Sequence, residues 1–186
     1  MLSWRGTKGL SEMQRAMLAC HDSLFRYARA LTRDPAEAEE LVQECYQRAL
    51  SAKHQPASQE AEHVRRWMFV ILRNAWKNEL RTRGREESAD MADELVADDH
   101  QPSPEAVLLK RALQVEIRTA LDSLTVPHRE IIVLRDMEGL SYEQIGELLH
   151  CAPGTVMSRL ARARARLRSI LESMVGAEKA RSVSER

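Results

Sequence analysis

Aromatic residues make up only 4% of this sequence, and no apolar run is long enough to act as a signal peptide or to cross a bilayer. That lack argues against an integral membrane protein and predicts a cytoplasmic one with no membrane insertion. Cysteine is also sparse. Cys20, Cys45 and Cys151 are odd in number, far apart and without C-x-x-C spacing, which excludes a disulfide framework and a zinc site and leaves buried thiols as the plain reading. Net charge is zero, so no global field draws the chain to a polyanion, and any such binding has to come from local patches. A nucleophile motif, a metal-spaced cluster and a glycine-rich phosphate loop are all missing. No catalysis, cofactor or metal is therefore expected, and His21, His63, His128 and His150 read as surface or cap residues.

What is present is a chain of helix formers with glycine and proline confined to a few places, which predicts an all-α fold. Charge is segregated along it. From Asp34 to Glu44 there are five acids and no base; from Glu86 to Asp99 only acids occur among the charges; from Thr155 to Arg168 only bases do.

In chain order, a loose leader precedes a helix from Ser11 whose inner face carries Met17, Leu18, Leu24, Phe25, Ala28 and Leu31. Pro35 ends it, and Asp34 caps the next helix, Pro35 to about Ser51. That helix keeps Ala38, Leu41, Val42, Cys45, Tyr46, Ala49 and Leu50 for the core and exposes Glu37, Glu39, Glu40, Gln43 and Glu44. The polar stretch Lys53 to Glu60 is a loop. A helix from about Ala61 to Thr82 interleaves Arg65, Arg66, Arg73 and Lys77 with Trp67 and Trp76, which suits single-stranded nucleic acid because cations hold phosphates and flat rings stack bases, although Trp76 falls on the apolar stripe and reads rather as core. The acidic stretch 84–104 cannot bury enough surface to order itself and reads as a flexible linker. A second helical unit follows over 105–173, with fraying expected after Ser173.

Ser141 to Arg168 reads as helix, turn and helix. Ser141 and Gln144 form a capping box. Gly146, costly inside a helix, implies that another backbone passes close by. Gly139 suits a left-handed helix end, with Leu140 packing back over it. In the last helix Val156, Leu160, Ala163 and Leu167 make one apolar stripe, while Arg159, Arg162, Arg164, Arg166 and Arg168 take the other faces. A solvated helix usually mixes its signs, so this one is matched to a polyanion.

Three strings, LTRDPAEAEELVQECYQRAL, RRWMFVILRNAWKNELR and LTVPHREIIVLRDMEGLSYEQIGELLHCAPGTVMSRLARARARLR, resemble sigma factors of the extracytoplasmic-function (ECF) class. With the linker they span about Ser11 to Leu171. The resemblance implies two small helical domains, 11–83 and 105–173, joined by the linker 84–104, and a protein that gives RNA polymerase its promoter specificity. It implies that Asp34, Glu37, Glu40, Leu41, Gln43 and Glu44 dock on core RNA polymerase. By the same likeness His54, Gln55, Ser58, Gln59, Arg65, Arg66, Trp67, Arg73, Asn74 and Lys77 meet the minus-ten element of promoter DNA. Thr155, Met157, Ser158, Arg159, Arg162 and Arg166 meet the minus-thirty-five element. An anti-sigma factor is the implied regulator. An operator-binding repressor is the rival reading, but the chain has no long heptad seam for a dimer and the basic-aromatic helix would go unexplained.

Overall fold

The computed structural model describes residues 9–82 and 115–184, with side chains through Met174. The linker 84–104, the first ten positions of the second unit and most of the leader lie outside the described residues. Those described form α1 (Glu12–Ala19), α2 (His21–Thr32), α3 (Pro35–Leu50), α4 (Ala61–Thr82), α5 (115–122), α6 (Val126–Ile132), a π-helical turn (Val133–Met137), α7 (Tyr142–Leu149) and α8 (Pro153–Ser184).

The local signals for element ends hold wherever a side chain reaches its own backbone. Ser11 with Gln14 and Ser141 with Gln144 both form complete capping boxes. The Asp34 carboxylate accepts from the N–H groups of Ala36 and Glu37 at 2.7 and 3.0 Å, satisfying two of the donors that a helix start leaves over. Thr125 differs from the usual cap: its hydroxyl makes no capping bond, and its carbonyl instead accepts from His128 and Arg129. Gly139 has φ +72°, and the N–H of the buried Leu140 returns to the Leu134 carbonyl at 3.0 Å.

Four expectations need correction. Leu50, at the last position of α3, is 58% exposed rather than buried. The first predicted helix is two helices, broken at Cys20, whose N–H bonds the Met17 and Leu18 carbonyls as α1 ends. Leu18 consequently falls off the inner face and is 40% exposed. The helix predicted to run to Gly139 is α-helical only to Ile132 and then widens into the π-helical turn. The last helix continues past Ser173 as far as Ser184.

α1 to α4 enclose Met13, Met17, Leu24, Tyr27, Ala28, Leu41, Cys45, Met68, Phe69 and Leu72, with the Tyr27 and Phe69 rings edge to face at 5.2 Å. The later helices enclose Leu124, Ile131, Leu134, Leu140, Ile145, Val156, Leu160 and Ala163. These two apolar groups are continuous with each other, because α2 packs on α6 and the π-helical turn while α4 meets α7. The two units therefore abut directly, with a core shared across the junction.

Candidate nucleic-acid interface

The position of α8 is set by the turn that precedes it. A Cβ placed on Gly146 would lie 2.6 Å from the Cys151 carbonyl oxygen, closer than any side chain tolerates; this is the close backbone approach that the glycine implied. His150 ends α7 in the left-handed region at φ +56°. Pro153 opens α8, and Thr155 and Val156 return their N–H groups to the Ala152 carbonyl. Val156, Leu160 and Ala163 are buried, so Met157, Ser158, Arg159, Arg162 and Arg166 project outward, with Thr155 half-buried at the edge. Arg164, also exposed, is already engaged: it forms an ion pair with Asp136 of the π-helical turn, Nε to Oδ2 at 3.0 Å, and this bond stabilises its charged form.

The acidic face lies on α3. Asp34, Glu39, Glu40 and Gln43 are exposed, Glu37 and Glu44 are half-buried, and Glu44 is bound by Arg48 one turn later at 2.6 Å. Leu41 is 2% exposed and belongs to the core. Alternation of inner and outer residues along the helix turns its side chain away from the face that carries the acids.

The loop and α4 form the third surface. His54, Gln55 and Gln59 are exposed and Ser58 is half-buried, its hydroxyl accepting from the Glu60 N–H. His63, Arg66 and Trp67 share a cleft of about 260 Å³ with Leu140, Gln144 and Glu147 of the second unit. Asn74 is exposed; Lys77 is half-buried, and burial together with the nearby Arg73 cation lowers its pKa. Trp76 sits partly buried against the core.

Arg65 and Arg73 are not where an open strand path would put them. Arg73 is buried, its Nε donating to Glu130 Oε1 at 2.8 Å and its Nη1 to the Leu148 carbonyl at 3.2 Å. Tyr27 donates to that same carboxylate oxygen at 2.8 Å, and burial, reinforced by the neighbouring carboxylate, pushes its phenol well above its usual pKa. Arg65 donates to the Glu138 carbonyl at 2.9 Å and stands 3.5 Å from its carboxylate, which also accepts from Arg26 Nε at 2.7 Å. Sequence reasoning missed Glu130 and Glu138 altogether. For Glu130 the available hint was its place directly before the apolar run Ile131 to Leu134, where a charge without a partner is expensive; Glu138, following Arg135 and Asp136, carried no such mark.

With this geometry established, comparison with known proteins assigns the family. The sigma-70 region 2 family model matches residues 17–86 and the sigma-70 region 4 model matches residues 114–167. The ECF sigma factor EcfG of Rhodopseudomonas palustris is 36% identical over 156 residues, 83% of this chain and 82% of that protein. The chain belongs to the ECF sigma factor family. SigE of Mycolicibacterium smegmatis is also 36% identical, over 81% of this sigma factor, which spans 58% of that longer protein. Among solved structures, the sigma factor RpoE of Bartonella quintana, crystallised with the anti-sigma factor NepR, superposes with a TM-score of 0.67 at 27% identity, covering 88% of this chain and 98% of that one.

Proposed function

We propose that this sigma factor docks on core RNA polymerase through the acidic face of α3, opens and reads the minus-ten element with the loop before α4 and with α4 itself, and reads the minus-thirty-five element with α8. The observation that carries this reading is the separation of charge onto different helices. Asp34, Glu37, Glu40 and Glu44, with the Gln43 amide among them, present acid to a protein partner, while Arg159, Arg162 and Arg166 present bases to a duplex and Ser158 and Met157 a hydroxyl and an apolar side chain. Phosphate contacts fix the register of such a helix, and side chains near its start reach base edges. On the minus-ten side, His54, Gln55, Ser58 and Gln59 line the loop, and Arg66, Trp67, Asn74 and Lys77 continue the path along α4. The protein acts in the cytoplasm and supplies binding and melting rather than catalysis. A regulator of the anti-sigma kind, as with the Bartonella relative, suits a molecule whose two units already meet face to face.

Reconstitution tests the whole reading. Core polymerase mixed with this chain should start transcription at a defined set of sites, and sequencing those transcripts should reveal both promoter elements. Glu40→Lys together with Gln43→Ala should abolish co-elution with core while α8 still retards duplex DNA. If holoenzyme assembles normally with that double change, α3 is not the docking helix.

A further inference from the structure

A second cleft, of about 340 Å³, shares no lining residue with α3, α4 or α8. It lies between α2 on one side and α5, α6 and the π-helical turn on the other, and Phe25, Ile117, Leu121, Val133 and Met137 are its apolar walls. Ile117 and Met137 are large and apolar, yet each is 48% exposed. Single apolar side chains scattered over a surface need no explanation, but several gathered around one concavity mark a place where something binds.

The charge of the cleft is one-sided. Arg26, Arg29, Arg118 and Arg129 line it together with a single acid, Asp122. Arg26 is already paired with Glu138, and Arg29 Nη2 stands 4.0 Å from the Asp122 carboxylate. Among the described residues, neither Arg118 nor Arg129 has a carboxylate in ion-pair range. Arg129 is only 2% exposed, and carbonyl groups alone hold it. Its Nε donates to Ala30 at 2.6 Å and its Nη1 to Leu124 and Asp122 at 3.1 and 3.3 Å, while the buried Nη2 has no partner. Burial first, and then the Arg33 cation, lower its pKa to about 10, which leaves it charged at neutral pH. A buried charge is ordinarily paired. This one rests on backbone dipoles beside a cleft that other arginines share, and the element missing there is an anion.

We propose that this cleft binds a small amphipathic anion, a carboxylate or phosphate head on an alkyl chain, with the head on Arg29 and Arg118 beside the buried charge of Arg129 and the chain along Phe25, Ile117, Leu121 and Met137. A guanidinium fork suits either head, because both offer paired oxygens that accept charge-assisted hydrogen bonds. The volume matches a small molecule, since ligand pockets begin at about 300 Å³. The site uses none of the residues given above to polymerase or promoter, so it stands or falls independently of those roles.

Calorimetric titration of the full chain with decanoate, decyl phosphate, decanol and inorganic phosphate tests this. Decanoate or decyl phosphate should bind once per chain, the tighter of the two identifying the head group. Decanol and inorganic phosphate, each lacking one half of the ligand, should bind at least about tenfold more weakly. Arg118→Gln, at an exposed position, should weaken the tighter ligand about tenfold through loss of a charged hydrogen bond. Ile117→Glu, also at an exposed position, sets a carboxylate among the apolar walls and should abolish binding. Decanol binding as tightly as decanoate would remove the arginines from the site, and inorganic phosphate matching decyl phosphate would remove the apolar walls. Either result overturns the proposal. So does a chain that binds neither alkyl anion, or an affinity unaltered in both variants, which would put the molecule elsewhere on the protein.

Discussion

Arg73 and Glu130, 57 residues apart in sequence, meet at 2.8 Å in an environment that excludes nearly all solvent, and the Tyr27 hydroxyl closes the triad on the same carboxylate oxygen. A charge buried this deeply is tolerable only with its partners in place, and its energetics follow from that. Glu130→Ala leaves the buried Arg73 guanidinium with the Leu148 carbonyl but no counter-charge, and the buried Tyr27 hydroxyl without its acceptor, and should destabilise the protein by about 3–5 kcal/mol. Replacing the triad as a unit, Tyr27→Phe, Arg73→Met and Glu130→Leu, should recover most of the loss, because apolar groups of similar volume remove the desolvation cost along with the attraction. Urea unfolding of the single and triple variants measures both. A triple variant no more stable than Glu130→Ala would show that the loss lies in packing around Glu130 rather than in stranded charge.

The turn before α8 depends on one missing methyl. Because a Cβ on Gly146 would meet the Cys151 carbonyl oxygen at 2.6 Å, and that atom is backbone rather than a movable side-chain end, Gly146→Ala has to push the turn outward. Overpacking of this kind costs about 1–3 kcal/mol, against which the better helix propensity of alanine returns at most about 1 kcal/mol. Lower thermal stability and, on the duplex-reading role proposed for α8, weaker duplex binding should appear together, the second because the turn sets the angle at which α8 would present Ser158 and Arg159 to a groove. A melting curve and a gel shift on the same variant suffice.

Why Gly146 could be read from sequence while Arg73 could not is a matter of range. The capping box at Ser141, the Asp34 cap and the left-handed Gly139 all concern a side chain or backbone group and its neighbours within a few residues, and each is realised. The apolar stripe of α8 is likewise a local pattern, and Val156, Leu160 and Ala163 are buried as expected. Arg73 looked like its exposed neighbours because its partner comes from a distant helix, and helical periodicity holds no record of that. The same blindness placed Leu18 inside: α1 and α2 are separated by a break at Cys20 with no proline or glycine to mark it, so the phase of the first stripe slipped. The π-helical turn inserts its wider spacing between Val133 and Met137 for a reason equally invisible in sequence, leaving Glu138 directed at Arg26 and Arg65.

Alkaline pH should destabilise the first unit. Burial pushes the Cys45 thiol from 9.0 up to about 12, and its Sγ donates to the Met68 carbonyl at 3.5 Å. In the unfolded chain the thiol ionises near its ordinary value, so above pH 9 the folded state holds a proton that the unfolded state has lost. Stability from this group is complete below pH 9 and declines through about pH 12, at about 1.4 kcal/mol per pH unit for one site. Comparing urea midpoints at pH 8 and pH 10, with reductant present, should show a steeper decline in the parent than in Cys45→Ala. Equal slopes would mean that other groups, such as Cys20 and Tyr46, whose pKa values are also raised by burial, dominate the dependence.

Not every arginine on α8 is equally free for DNA. Among the described residues Arg162 donates only to the Ser158 carbonyl of its own helix, at 3.3 Å, and its side chain is exposed. Arg164 is paired with Asp136, so a phosphate would have to displace that carboxylate before gaining the cation. Each phosphate neutralised releases condensed counterions and contributes about 0.9 to the slope of log affinity against log salt. Arg162→Ala should therefore flatten the slope for duplex binding by about one unit, whereas Arg164→Ala should change it little. Asp136→Asn should bring Arg164 into play, steepening the slope and tightening binding at low salt. Titrations of the same duplex at several salt concentrations compare the three variants. An Arg164→Ala effect equal to that of Arg162→Ala would mean that Asp136 yields to the phosphate backbone when DNA arrives, and that the ion pair belongs only to the unbound protein.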